Sequence, residues 1–393
     1  MIGYVIVRIA DVENGGFRPE SEIWVEDGRI FSFARPEEAA ADVPVVDIGG
    51  KTVLPGLFNV HTHIQFDSTP KGAVIFTSQP RFTVSALKNL KKYLYSGVMF
   101  IRDMGGADYV DIEIRDMVRE GLVEGPEMVV SGKNLSATGG QSWQNGVEVD
   151  GRDACIRAVR QQCKKDVDWV KFMASGWPGV CRTSPYQPHL SLEEMQTIVQ
   201  EANRLERKVA AHAVGGLSAK YAAMAGAASI DHGYYLDEET LDIMAEKGIC
   251  YVPTLAINHF MMQSLGRPCI TQEMVDTAER QFEVQMRSLQ LAMEKGVTIC
   301  VGTDACSPYN DHDGTAHELI ALTQCGMSPA EAIRSATVHS AKLCGQEDCR
   351  GSIAEGKVAD LAIFEGDPFS DVSVLTRCAG VIQKGKMLKK VCG

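Results

Sequence analysis

Hydrophobic positions divide this chain into two β-rich ends around an alternating middle. Near the start, Ile23-Trp24-Val25-Glu26 runs into Asp27-Gly28 and then Arg29-Ile30-Phe31. Short apolar runs on either side of an Asp-Gly pair, whose residues tolerate positive φ, predict a hairpin. The far end reads alike: Asp360-Leu361-Ala362-Ile363-Phe364, the turn Gly366-Asp367-Pro368, then Val381-Ile382-Gln383 before Lys384-Gly385-Lys386.

The middle carries eight apolar runs of strand length. They are Leu57–Val60, Gly97–Arg102, Met128–Gly132, Trp169–Met173, Val209–Ala213, Ala228–Ile230, Ile249–Pro253 and Val297–Gly302. Helical sequence with readable ends lies between them. Ser191 and Glu194 form a capping box ahead of MQTIVQEANRL, and Ser328, Pro329 and Glu331 predict a second one. Gly248 and Gly296 each close a helical pattern just before a strand. Eight strands, each followed by helical sequence, predict an α/β fold with a closed parallel (β/α)8 barrel. A doubly wound open sheet is the alternative. It more often places a glycine-rich phosphate loop after its first strand, where this chain has His61-Thr62-His63.

Composition adds bounds. The chain has 393 residues, 45% hydrophobic and 23% charged, enough for one large barrel and a smaller satellite domain. A formal net charge of −12 and a pI of about 5.3 repel phosphate backbones, so no nucleic-acid partner is expected. The opening MIGYVIVRIADVENGG is a poor secretion signal, and no apolar run has the length of a membrane span. The twelve cysteines are scattered without a CxxC pair, as reduced thiols of a cytoplasmic protein would be.

Barrels of this kind place their chemistry at the C-terminal ends of the strands. The polar residues there are His61-Thr62-His63 on the first strand, Lys171 on the fourth, His212 on the fifth, Asp231-His232 on the sixth and Thr303-Asp304 on the eighth. His61 and His63, two apart, share one strand face and suit a single cation. Asp304 can bind the same ion and take a proton from its water, and His212 and His232 can hold a second ion. A bare ammonium at Lys171 would be repelled there, whereas a lysine carbamate is an anionic ligand able to bridge two metals. Each residue alone has an ordinary explanation: a packed strand His, a salt-bridge Lys, a turn or cap Asp. Their convergence at one barrel mouth favours the metal site.

Around these residues the chain resembles the amidohydrolase superfamily over nearly its whole length. The strings that carry the resemblance are VLPGLFNVHTHI, VDWVKFMASG, KVAAHAVGGLSAKYAAMAGAASIDHG, VGTDA and the tail GSIAEGKVADLAIFEGDP. The resemblance implies a small β-sandwich built from both termini, residues 1–55 plus 347–393, beside a catalytic barrel over 56–346. It implies two divalent metal ions, with zinc expected, held by His61, His63, Lys171, His212, His232 and Asp304. Lys171 would be the carboxylated bridge. The nearest branch is prolidase-like and related to imidazolonepropionase, and its T-G-G motif matches Thr138-Gly139-Gly140. Two positions depart from the peptidase pattern of that branch: Gln141 stands where His is usual, and Val214 where Tyr is usual.

The expected activity is hydrolysis of an amide-like C–N bond in a dipeptide, N-acyl amino acid or cyclic amide. A metal-bridging hydroxide would attack, and Asp304 would act as general base and then general acid, with Lys171 the other catalytic residue. Gln141, Trp143, Trp177, Tyr234 and His312 are candidate substrate contacts, and His317 follows the same loop. The expected partner is a small-molecule substrate, with the chain forming a homo-oligomer. Two other readings are a mononuclear deaminase or imidazolonepropionase-type hydrolase, which Lys171 argues against, and a non-catalytic scaffold relative, which six filled ligand positions argue against.

Overall fold

The computed structural model describes every residue except 7, 38, 41, 72–76, 178–184 and 390–393. The two chain ends meet in shared sheets. Thr52–Pro55 pairs antiparallel with Leu361–Phe364, which pairs in turn with Cys378–Gln383. A second sheet orders Arg29–Ser32, Glu22–Glu26, Ile2–Val5 and Val45–Asp47. The predicted hairpin turns at Asp27 (φ 49°) and Gly28 (φ 77°), a pair of positive φ values that matches the strand twist. Tyr4, Ile23, Val53, Leu361, Ile363 and Ile382 from both sheets form one apolar cluster. The Tyr4 hydroxyl ties it together by donating to the Gly385 carbonyl at 2.8 Å.

Between the ends, strands and helices alternate. The parallel strands are β1 (Leu57–Thr62), β2 (Val98–Asp103), β3 (Glu127–Val130), β4 (Trp169–Met173), β5 (Lys208–Gly215), β6 (Ser229–Tyr235) and β7 (Cys250–Val252). β1, β2 and β3 form one sheet, and β4 through β7 belong to another. The line of β3 resumes at Leu135–Ser136, where Leu135 pairs with Phe172 of β4. Asp168 also donates its N–H to the Val130 carbonyl at 3.0 Å. Every residue of β1, β2 and β4 is buried, so these strands read as apolar runs rather than alternations.

The eighth predicted strand, Val297–Gly302, requires a correction: it forms isolated bridges, not a ladder. Tyr251 exchanges bonds with Thr298 and Cys300 (2.9 Å each), and Val60 donates to the Val301 carbonyl at 2.7 Å. The N–H of Val301 goes instead to the Ser335 carbonyl and the Ser340 hydroxyl, 3.3 Å each, which interrupts regular pairing. The segment still lies between β7 and β1. Gly302 allows the close approach, because a Cβ there would stand 2.5 Å from that of His61.

Capping follows the sequence with one exception. Ser191 and Glu194 form the full reciprocal box. Ser328 accepts from the Glu331 N–H with Pro329 at the first turn, but the Glu331 carboxylate pairs with Arg334 at 3.0 Å, so only half of the second box is described. Among the described residues, no helix is long and apolar enough to cross a membrane.

Candidate metal centre

The end of β1 carries the first two imidazoles. His61 is buried within the strand, and its carbonyl accepts the N–H of Asp304 at 2.9 Å, which holds the aspartate loop against β1. His63 lies just past the strand. Its Nδ1 contacts the Gly105 carbonyl at 2.6 Å, which leaves Nε2 facing Asp304 Oδ1 at 3.3 Å. Asp103, at the end of β2, fixes both loops by accepting from the N–H groups of Ile64 (2.8 Å) and Gly105 (2.9 Å).

β5 and β6 supply the other two. His212 and His232 sit one register step apart on neighbouring strands, with ring centroids 4.5 Å apart, and His232 lies 4.9 Å from His61. His232 has a φ of 78° and its Nδ1 contacts the Thr254 hydroxyl at 2.9 Å; Thr254 is itself strained, at φ 53°. Strain of this kind persists only where the surroundings impose it. Lys171, fully buried on β4, pairs with Asp231.

Arg102 escaped the sequence reading, and Asp231 was named there as a strand-end residue without a role. Asp231 Oδ2 lies 3.0 Å from His61 Nδ1, while Oδ1 accepts from Ser229 (2.8 Å) and Arg102 (3.3 Å). The Arg102 guanidinium also donates to the Val60 carbonyl at 2.6 Å and lies 4.5 Å from the Trp169 ring centroid. Both side chains are inaccessible to solvent. A signal existed: Arg102 is a lone cation in the apolar run VMFIRD, and Asp231 directly precedes a ligand candidate.

The electrostatics prepare donors. Burial, and then the charge of Lys171, lower the His61 pKa to about 4 and that of His212 to about 3. Burial and the adjacent imidazoles hold His232 well below its ordinary value. Burial also acts on His63, but the Asp304 carboxylate outweighs it and raises that imidazole. Asp304, despite burial, is kept far below the usual carboxylate range by His63 and His61. Neutral imidazoles with free lone pairs and an ionised carboxylate are the donor set a divalent cation such as zinc requires. Ligand atoms of His61, His232 and Asp304 all lie within 4.8 Å of one another, so these residues fit an ion. An imidazole whose second nitrogen faces a carboxylate, as His61 faces Asp231, is held in orientation for ligation.

All six sequence-predicted ligand candidates line one cavity of about 1050 Å³. Gln141, Trp143 and Trp177 line it too, with Phe66, Ile257 and Met261 as apolar wall. Tyr234 and His312 are buried behind that wall and are not among the lining residues described. Tyr234 accepts a bond from Asn258 at 3.2 Å, and His312 Nε2 contacts the His63 carbonyl at 3.2 Å. His317 packs on Phe260, ring centroids 4.6 Å apart.

Relatives carry the same architecture. Ochratoxinase of Aspergillus niger is 29% identical over 390 residues, spanning 91% of this chain and 78% of its own. Imidazolonepropionase of Geobacillus thermodenitrificans is 24% identical, spanning 97% and 92%. A crystal structure of a Xaa-Pro dipeptidase with methionine bound in its active site superposes with a TM-score of 0.89. It is 29% identical and covers 99% of this chain and 100% of that one. The sequence model of the Amidohydrolase family matches residues 52–388, and the chain therefore belongs to that family, as a hydrolase of carbon–nitrogen bonds.

Proposed function

We propose that this chain is a binuclear metal-dependent amidohydrolase cleaving an amide bond in a small acyl–amino acid or dipeptide. His61, His63, His212, His232, Asp304 and a carboxylated Lys171 would hold the two ions. The observation that carries this reading is that all six line one cavity, with burial the largest influence holding the imidazoles of His61, His212 and His232 neutral. The ring of contacts from β1 through β7 and residues 298–301 back to β1 supports a closed (β/α)8 barrel over 56–346. The shared apolar cluster of the termini supports a β-sandwich from 1–55 and 347–393.

Bound there, divalent cations would supply Lewis acidity and lower the pKa of a water towards about 7. The chain does the rest. Asp304 takes the proton from the attacking water and hands it to the leaving nitrogen. Asp231 orients His61. Trp177, Phe66 and Ile257 form an apolar wall suited to an apolar side chain. Gln141 is a neutral amide on that cavity, so it can bond a carbonyl without supplying charge. Val214 is buried, with its N–H given to the Ser175 hydroxyl at 3.0 Å, and offers the substrate no polar group. The substrate reading therefore leans towards amides that need no charged clamp at these two positions.

A mononuclear site is the second reading, favoured by the tight grouping of His61, His232 and Asp304 among the described residues. Metal content per chain, measured on zinc- and manganese-loaded protein, separates the two: near two supports the first reading, near one the second. Hydrolysis is assayed on dipeptides, N-acyl amino acids and lactams. Lys171→Ala is expected to lose on the order of 100-fold or more in kcat/KM, with partial recovery by added short carboxylic acids. Full activity in that variant would sink the bridging role.

A further inference from the structure

We propose that Asn134 is a substrate contact, its carboxamide N–H donating to an acceptor oxygen of the amide bound beside His63. The inference rests on the reading of the cavity as the hydrolytic site.

Asn134 stands just ahead of Leu135–Ser136, which continues the line of β3. Its main chain is fixed: the carbonyl accepts the Val147 N–H at 2.8 Å, and a Cβ on Gly146 would come within 2.6 Å of that oxygen. The residue is only 7% exposed, yet it lines the cavity with His63, Gly105, Gly140 and Gln141. Oδ1 is buried without a hydrogen-bond partner among the described residues. The carboxamide packs against Gly105, where a Cβ would fall 2.2 Å from Oδ1 and 3.1 Å from Nδ2. Gly105 is held in turn by Asp103, and its carbonyl contacts the His63 ring. One residue thus separates the carboxamide from a metal-ligand candidate.

This packing orients the amide. The Gly105 Cα–H groups meet the oxygen end favourably, whereas the NH2 end in that place would set donor against C–H. The nitrogen therefore faces the cavity as a donor. Oδ1 stays unpaired against Gly105 at a cost of about 1–3 kcal/mol, and the N–H end is the part of the carboxamide left for a ligand. An uncharged N–H donor beside His63 is complementary to a carbonyl oxygen next to the cleaved bond, and sites built this way discriminate strongly against ligands that leave the donor unpaired.

The test compares full-length, metal-loaded wild type with Asn134→Leu and Asn134→Asp. The probes are N-acetyl-L-methionine, N-acetyl-L-phenylalanine and L-methionyl-L-proline, and the melting temperature of substrate-free protein is read alongside. Asn134→Leu removes the donor at similar volume. We expect its kcat/KM to fall about 10- to 100-fold while its melting temperature stays equal or rises. Asn134→Asp, which replaces the donor with an acceptor, should fall further. Retained kcat/KM within about twofold overturns the inference, and so does a fall in melting temperature of Asn134→Leu beyond about 5 °C, which marks a structural role. A wild type that turns over no probe and binds no metal overturns the hydrolytic reading instead. In that event, thermal shifts with 10 mM L-methionine decide for Asn134 (a roughly tenfold excess over weak binding). A shift in wild type that Asn134→Leu lacks supports the contact. Equal shifts, including none in either, overturn it.

Discussion

Glu318 shows how the cavity wall is held, and its titration can be measured. It is fully buried on the helix Thr315–Gln324. Its two oxygens accept the N–H groups of Leu255 (3.0 Å) and Ala256 (2.6 Å), at the start of the helix Ala256–Met262. That helix has no side-chain cap from Leu255, so Glu318 satisfies its free donors from across the structure. The same helix carries Ile257, Asn258 and Met261 to the cavity. Burial pushes the Glu318 carboxyl up from 4.5 to about 8, and the two backbone bonds oppose this only in part. The folded protein thus keeps a proton that the unfolded chain releases near pH 4.5. Between those values the unfolded state binds fewer protons, so stability falls as pH rises. The contribution is fully present below pH 4.5 and is lost by pH 8. At 1.36 kcal/mol per pH unit it amounts to about 5 kcal/mol. Glu318→Gln abolishes the titration and keeps one acceptor oxygen. Urea unfolding of both proteins at pH 5.5, 7.0 and 8.5 is the assay. The stability of wild type minus that of the variant should fall by roughly 3 kcal/mol across that interval. A difference that is flat within about 0.5 kcal/mol, or that rises with pH, would mean the carboxylate is ionised throughout and would refute the argument.

Two further substitutions probe the floor and side of the cavity. Arg102→Met strips Asp231 of a buried partner while refilling the volume over Trp169, and should cost about 3–5 kcal/mol in urea unfolding; a loss under about 1 kcal/mol would show that Asp231 does not depend on this cation. Gly105→Ala places a methyl 2.2 Å from Asn134 Oδ1 at a φ of 109°, so it should lower both melting temperature and kcat/KM, and unchanged kinetics would mean the carboxamide moves aside freely.

What could be read in advance depended on how local each signal was. His61 and His63 were legible because a strand puts alternate residues on one face, and the strand itself is announced by an apolar run. The capping box at Ser191 was legible because both partners lie within four residues. Val297–Gly302 reads as a strand by the same apolar rule, but its ladder fails where Val301 donates to Ser335 and Ser340, a contact that no window around Val301 contains. Tyr234 and His312 follow predicted strands just as Trp177 does, yet Tyr234 lies within β6, and a bond from Asn258 and one to the His63 carbonyl hold the two side chains behind the wall.

The residues missed altogether share one property: their partners are distant in sequence and their own types are ordinary. Arg102 meets Asp231 across the strands, and Asn134 acquires its orientation from Gly105. A charge in a buried strand is the one cue that could have exposed the first. In so buried a place a single ion is too costly to keep unpaired, so Arg102 required an anion somewhere along the other strand ends, and Asp231 was an acidic residue available in the run of β6. Asn134 offers no comparable cue, since an asparagine after Gly132-Lys133 reads as a turn residue. Its meaning exists only once Gly105 removes the Cβ that would have occupied its place. The candidate metal ligands are therefore the part of this site that sequence spacing specifies, whereas the groups proposed to orient them and to receive a substrate are specified by packing between strands.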